Sequence, residues 1–246
     1  MNNQRVKTAI EFARQIIPWA IDPYALCEEV GIDVVLDRRT HKDGYLVCTS
    51  GCKIIFVSSD ITNLHRRKFI VSHELGHFLM HREQLFCCDR IWETAALNTI
   101  NTVDQEHEAN EFASEYLMPR LDLQKMIPNR SLCFADISKI AQFFDVSMTL
   151  SAIKSVQLSN TEDEILICYQ NDALKWFVSA DKALQLQQIP SRCPINHIRN
   201  GSINVTGMWD SLYEGNVKQE VFCPVTSQKL ILISGQRYTE EPNQLS

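Results

Sequence analysis

The 246-residue sequence predicts an α+β fold, in which a small β-sheet lies beside a helical bundle and a β-rich C-terminal domain follows. Two observations lead to this prediction. Before residue 158, segments with apolar residues at helical spacing alternate with a few short strand-like runs. From Ile165 onward the runs are short and strand-like, with Gly, Pro and Asn between them. We therefore expect two domains, residues 1–158 and 159–246.

The elements follow from these patterns in chain order. Pro18 and Gly31 end the first two helices, and Thr62 or Asn63 begins the third. Helices with a buried apolar face are predicted over residues 5–17, 23–30, 62–81, 104–117, 135–144 and 147–157. Strands are predicted over residues 32–36, 44–48, 53–58, 165–169, 175–178, 219–222 and 229–234. A loop is expected at about 82–103, between the third and fourth helices.

The charge balance argues against a dedicated nucleic-acid-binding protein. The chain carries 24 Lys and Arg against 30 Asp and Glu, a formal net charge of −6, whereas phosphate binding requires a basic face. Residues 135–157 do resemble a helix-turn-helix, but the second helix begins with Met148, Thr149 and Leu150 rather than with residues that read base edges. We expect a core element there, with contact to DNA or to a repressor as the alternative.

The cysteines and the apolar runs indicate the cellular compartment. Nine cysteines, an odd number, stand in a chain without a recognisable export signal, so reduced thiols are expected. The longest apolar runs, such as 230–233, are far too short to span a bilayer. We therefore expect a cytoplasmic protein that does not enter a membrane.

The motif His73-Glu74-Leu75-Gly76-His77 carries the chemistry of the sequence. Residues i and i+4 lie on one face of a helix, so the two imidazoles can bind one metal ion. Glu74 is rotated away from both by about 100° per residue, which places it beside the metal. There it can act as a general base towards water. This is the H-E-x-x-H motif of zincin peptidases.

A catalytic site of this type needs a third protein ligand, which we look for on the helix at 104–117. Glu106 shares a helix face with Asn110 and Ala113, and small alanines allow two helices to approach closely. Asn110 is a poor helix former, which suggests a hydrogen-bonding role. Glu106 is the preferred ligand, with Glu108 or Glu111 as alternatives on a more charged face that we expect to meet solvent. The metal is expected to be Zn²⁺, with Mn²⁺ or Fe²⁺ possible.

Two blocks of the sequence together resemble the ImmA/IrrE metallopeptidases. The first runs from Arg67 through His73-Glu74-Leu-Gly-His77 to His81. The second runs from Glu106 to Pro119 and is similar to the family element E-x-x-A-N-x-F-A-x-x-L-L-M-P, with Tyr116 in place of the first Leu. The resemblance covers about residues 1–158. It implies a zincin-like domain with the first Glu of the second block, Glu106, as third metal ligand.

The resemblance also implies a substrate. Family members cleave helix-turn-helix repressors of the Xre type, and so relieve repression of phage, mobile-element or stress-response genes. We accordingly expect a metalloendopeptidase whose general base is Glu74 and whose partner is such a repressor. Direct binding of nucleic acid is not expected. The alternative is a non-proteolytic, metal-containing regulatory module that contacts a repressor or DNA.

Three further side chains and one strand have expected roles. His81 lies two helical turns, about 11 Å, beyond His73, so we expect it to support the site rather than to bind the metal. Tyr45 and Tyr116 could stabilise an oxyanion but are expected to be packed aromatics. The strand at 53–58 is expected to pair with an extended substrate segment.

Overall fold

The computed structural model describes residues 4–18, 21–38, 42–49, 51–81, 103–161, 163–181, 184, 186–195, 200–205, 209, 212–225 and 227–237. The chain divides into two compact units, Met1–Arg120 and Leu121–Ser246, and each is considered by itself. Helices and a small sheet make up the first unit, and helices and a larger antiparallel sheet the second. The predicted α+β class is therefore confirmed.

The first unit combines four helices with a three-stranded sheet in the described part of the chain. The helices are α1 (Gln4–Ile16), α2 (Pro23–Glu29), α3 (Leu64–Met80) and α4 (Val103–Leu117). The strands are β1 (Asp33–Asp37), β2 (Gly44–Cys48) and β3 (Lys53–Ser58). Their order is β1-β3-β2, with β1 parallel and β2 antiparallel to β3.

The position of β3 overturns one prediction. Its residue Ile55 is opposite Val34 of β1 on one side and Leu46 of β2 on the other. A strand paired on both sides has no backbone groups to offer a further strand, so the prediction that residues 53–58 pair with substrate is wrong. The edges of this sheet are β1 and β2.

Helix α3 begins where the sequence predicts, and it packs closely on α4. The side-chain oxygen of Asn63 accepts a hydrogen bond of 3.1 Å from the backbone N–H of Arg66, which caps the first turn. Gly76 of α3 faces Ala109 and Phe112 of α4, and both of these residues are fully buried. The small residues thus bring the two helix backbones together, as the spacing of alanines predicted.

The second unit is built on a five-stranded antiparallel sheet. Its helices are α5 (Arg120–Met126), α6 (Phe134–Phe144) and α7 (Met148–Gln157). Its strands are β4 (Glu164–Gln170), β5 (Ala173–Ser179), β6 (Gly201–Val205), β7 (Tyr213–Val225) and β8 (Gln228–Arg237), in the order β5-β4-β8-β7-β6. Helix α5 and strand β6 were not predicted, and the loop expected at 82–103 lies, apart from its last residue, outside the described residues.

Strand β4 is buried on both faces. Alternate residues point to opposite sides of a strand, and here Ile165 and Ile167 enter one apolar cluster while Leu166 and Cys168 enter another. The second cluster also contains residues of α6 and α7, namely Ile137, Ala152 and Val156. These helices and the sheet therefore share a core.

That shared core groups the helices before residue 158 with the strands after it. The division into compact units falls after Arg120, whereas the sequence pattern changes from helical to strand-like near residue 159. The predicted domains, 1–158 and 159–246, stay a prediction. No helix in the described ranges combines the length and apolar character needed to cross a membrane.

Candidate metal centre

Three side chains predicted as metal ligands converge at the contact between α3 and α4. Their ligand atoms all lie within 4.8 Å of one another. The Nε2 atoms of His73 and His77 are 3.1 Å apart. Glu106 Oε2 lies 3.2 Å from Nε2 of His73, and Glu106 Oε1 lies 3.5 Å from Nε2 of His77. The three residues could hold one metal ion.

Local structure explains this convergence. His73 and His77 are one helical turn apart on α3, so their rings project from the same face. Glu106 lies in the first turn of α4, where the helix dipole favours a negative charge. The Glu106 side chain is 48% exposed, whereas that of His77 is 5% exposed. The site therefore has a dry side at His77 and an open side at Glu106.

The hydrogen bond made by His73 fixes its tautomer. Nδ1 of His73 lies 3.0 Å from Oδ1 of Asn110, an oxygen that can only accept, so Nδ1 carries the ring proton. Nε2 is then left with a lone pair directed at the centre of the group. The predicted hydrogen-bonding role of Asn110 is confirmed, and it is the support that a metal-binding histidine requires.

The electrostatics of the group suit a cation. Burial lowers the pKa of His73. Burial and the neighbouring ring of His73 together lower the pKa of His77 to about 4. Both imidazoles are therefore neutral at pH 7, which is the form that binds metals. Two nitrogen lone pairs and a carboxylate facing one another repel unless a positive charge lies between them. The residues present thus fit a divalent metal ion.

Glu74 lies beside this group and outside it. The residue is 9% exposed, and it receives a hydrogen bond from the backbone of Leu46 in β2. Burial, with the neighbouring Glu106 carboxylate, raises the pKa of Glu74 to about 8. Gly44 of β2 comes so close to Ile70 and to the carbonyl oxygen of Phe56 that a side chain there would collide with them. Glu74 is thus enclosed between α3 and the edge strand β2.

Comparison with known proteins identifies the family. Residues 27–154 match peptidase family M78, described as the IrrE N-terminal-like domain. The chain belongs to this family. The match covers both sequence blocks and confirms the resemblance to ImmA/IrrE metallopeptidases that they predicted.

A solved structure supports the fold. A Mycobacterium tuberculosis transcriptional regulator superposes with a TM-score of 0.59 over 95% of this chain and 76% of that protein. The two sequences are 14% identical, so the similarity concerns the fold alone. A comparison with curated protein sequences gives no significant match.

Glu108, which follows Glu106 in the second sequence block, has contacts of its own. Glu108 Oε2 lies 2.8 Å from Nε2 of His81 and 3.1 Å from Nη1 of Arg5. The expectation that Glu108 meets solvent is therefore wrong, because it turns towards α3 and α1. The metal-ligand group found among the described residues contains Glu106, and neither Glu108 nor Glu111.

The two tyrosines considered for oxyanion stabilisation are packed. Tyr116 is 1% exposed, and its hydroxyl donates to the carbonyl oxygen of Asp22 at 3.2 Å. The ring of Tyr45 stacks on Phe56 with centroids 4.8 Å apart. Both observations agree with the expectation of packed aromatics. The contact of His81 with His77 agrees with the expected supporting role of His81. The contact that sequence reasoning missed is that of His81 with Glu108, because it joins two different helices.

Proposed function

We propose that the chain is a metal-dependent endopeptidase of the zinc type that hydrolyses a peptide bond in a protein substrate. One observation carries the proposal. His73, His77 and Glu106 direct their ligand atoms to one point, while Glu74 lies next to that point without belonging to the group. Three ligands with a separate carboxylate beside them are typical of a hydrolytic metal site, and a structural site would use a closed set of four.

His73, His77 and Glu106 would hold the metal. Two imidazoles and one carboxylate are the ligand set of many catalytic zinc sites, and manganese or iron would also accept it. When bound, the metal would act as a Lewis acid that polarises the scissile carbonyl and lowers the pKa of a water molecule. The exposed side of Glu106 leaves room for an incoming peptide.

Glu74 would move the proton. Glu74 would be ionised with a cation beside it, because that charge opposes the rise in its pKa caused by burial and by Glu106. Its carboxylate would then accept a proton from the attacking water as the oxygen bonds to the scissile carbonyl carbon. It then donates that proton to the amide nitrogen as the C–N bond breaks, so the products are a carboxylate and an amine. The hydrogen bond from the backbone of Leu46 would hold Glu74 in place through both steps.

An extended substrate segment would lie along β2. This strand is at an edge of the sheet, and it includes Leu46, which contacts Glu74. A peptide that pairs with a sheet edge gains main-chain hydrogen bonds, and its scissile bond would then lie near the general base. Strand β2 thus takes the substrate-pairing role that the sequence pattern suggested for β3, because β3 has neighbouring strands on both sides.

The substrate would be a helix-turn-helix repressor of the Xre type. The family supports a protein substrate, and the neighbouring structure named a transcriptional regulator is compatible with this setting. Cleavage would relieve repression of phage, mobile-element or stress-response genes. The enzyme would act in the cytoplasm, where such repressors bind DNA, and would not itself need to bind nucleic acid.

The deciding experiment compares wild type with Glu74→Gln and the control Glu111→Gln. Each is loaded with Zn²⁺ and mixed with a purified helix-turn-helix repressor of the Xre type, and cleavage is followed by mass spectrometry. Removal of a general base should slow cleavage by about 10²–10⁴-fold. About one zinc per chain should remain in both variants, and Glu111→Gln should cleave like wild type.

Two outcomes would contradict the proposal. Undiminished cleavage by Glu74→Gln would remove the proposed mechanism. A wild-type protein that carries zinc and binds the repressor, but leaves it at full length, would favour the regulatory-module alternative.

A further inference from the structure

We infer that His81 and Glu108 are positioning residues that set the tautomer of His77 and thereby prepare it to bind the metal. The inference rests on the proposed function, because it concerns the same metal centre. Neither residue belongs to the metal-ligand group. Both are placed by the two helices that build the centre, His81 at the end of α3 and Glu108 in α4.

A continuous line of short contacts leads from His77 to Glu108. Nδ1 of His77 lies 3.1 Å from Nδ1 of His81. Nε2 of His81 lies 2.8 Å from Oε2 of Glu108. His81 is 4% exposed, so water does not compete for its two ring nitrogens. Each nitrogen has one hydrogen-bond partner, and the direction of each bond can be worked out from the chemistry of those partners.

The direction is determined from the metal end. Nε2 of His77 faces Nε2 of His73 and Oε1 of Glu106, so it is the nitrogen that would bind a metal held by this group, and the ring proton would lie on Nδ1. Nδ1–H of His77 then donates to Nδ1 of His81, and Nε2–H of His81 donates to Oε2 of Glu108.

Arg5 keeps the line oriented. Its Nη1 lies 3.1 Å from the same Oε2 of Glu108 that accepts from His81. The ion pair holds the Glu108 carboxylate in place against the ring of His81. Three elements therefore contribute, since Arg5 comes from α1, His81 from α3 and Glu108 from α4.

The two ligand histidines are supported in different ways. His73 donates directly to the neutral side-chain oxygen of Asn110. His77 donates to the ring of His81, which in turn donates to the Glu108 carboxylate. The hydrogen bonds that support the buried ligand His77 therefore run through one more residue and end on a carboxylate. Such outer partners orient metal-binding histidines and raise their basicity, and losing them typically weakens metal binding by about 10–100-fold.

The test compares the full-length chain with His81→Phe, His81→Gln and the control His107→Phe, which changes an exposed histidine of α4. The dissociation constant for Zn²⁺ is measured by competition with a chromophoric chelator. We expect His81→Phe to bind about 10–100-fold more weakly. His81→Gln should stay within a few-fold of wild type, because an amide can accept from His77 and donate to Glu108. His107→Phe should equal wild type.

A second readout does not depend on any variant or on metal. In the metal-free wild-type protein, ¹H–¹⁵N NMR correlations of the histidine rings should place the proton of His77 on Nδ1. His77 with its proton on Nε2, or His81→Phe with wild-type zinc affinity, would overturn the inference. A wild type that binds no zinc would instead refute the proposed function, and the NMR result would still decide the tautomer.

Discussion

Gly76 and Ala109 bring the two site helices into contact. A Cβ atom placed on Gly76 would lie 3.2 Å from the Cα atom of Ala109 and 3.1 Å from the ring of Phe112. Gly76 is one residue before His77, and Ala109 is one turn after Glu106. The approach of the helices at this point therefore sets the distance from the histidines to the carboxylate.

The change Gly76→Ala should destabilise the protein and weaken its metal site. Alanine is better than glycine in a helix by about 1 kcal/mol. Insertion of a methyl group against the backbone of a buried neighbouring helix costs about 1–3 kcal/mol, and we expect this larger effect to decide. The free energy of unfolding, measured in urea, should fall by up to about 2 kcal/mol. Zinc affinity should fall with it, because Glu106 moves away from the histidines.

Gly51→Ala is the matched control. A Cβ atom at Gly51 would meet nothing within 4 Å. This variant should retain the stability and the metal affinity of wild type. Equal behaviour of Gly76→Ala and Gly51→Ala would show that the contact between α3 and α4 tolerates a methyl group.

The change Glu106→Gln should remove most of the bound metal. The amide keeps the shape of the side chain but loses the negative charge that faces both Nε2 atoms. The loss should exceed the roughly 10–100-fold typical of changes outside the ligand set. Metal per chain, measured by elemental mass spectrometry after gel filtration, should fall from about one towards zero.

Glu111→Gln should retain the metal, because Glu111 is not among the converging ligands. Unchanged metal content in Glu106→Gln would contradict the assignment and return the third-ligand position to Glu108 or Glu111.

The second unit should lose stability in acid partly through Asp136. This carboxylate accepts from Arg130 at 2.7 and 3.0 Å and from the backbone N–H of Cys133 at 3.2 Å, at the start of α6. The hydrogen bond from Arg130 lowers the pKa of Asp136 from 3.8 to about 2. A depressed pKa in the folded state stabilises the fold above the unfolded value, and this stabilisation is lost as the pH falls from about 4 towards 2.

The change Asp136→Asn should therefore flatten the acid side of the stability profile. At pH 6 the cost should be about 0.3–1 kcal/mol, the usual value of a carboxylate in the first turn of a helix. Urea unfolding at pH 6, 4 and 3 measures both effects. Asp122→Asn, which breaks an exposed pair with Lys125, should change little at any of these pH values. If the free energy of unfolding of Asp136→Asn fell between pH 6 and pH 3 as much as that of wild type, Asp136 would not contribute to the loss of stability in acid.

Local sequence patterns predicted most of the elements and much of the candidate site. The strands at 44–48 and 53–58 match the structure, because apolar periodicity and a turn define them within the segment itself. The helical phase of 104–117 separated Glu106 from Glu111, and the low helix propensity of Asn110 indicated its hydrogen bond. These are properties of one element at a time.

The remaining features depend on contacts between elements. The order β1-β3-β2 results from long-range strand pairing, so the pattern of residues 53–58 could not reveal that β3 lies in the middle. The helical phase of α4 likewise placed Glu108 on a charged face, because it did not include His81 of α3. Helix α5 is only seven residues long and buries one residue, Leu123, so it has no clear apolar period, whereas the equally short α2 buries three residues.

Two carboxylates from the sheet of the second unit, Glu164 and Glu220, hold the chain at the start of α6. Glu164 of β4 accepts from the backbone N–H of Leu132, and Glu220 of β7 accepts from that of Phe134 at 2.7 Å. Residues far apart in sequence thus depend on one another for both polar satisfaction and burial. The family match ends at residue 154, inside the second compact unit. The segment that matches the family and the segment that packs as one compact unit are therefore different stretches of the same chain.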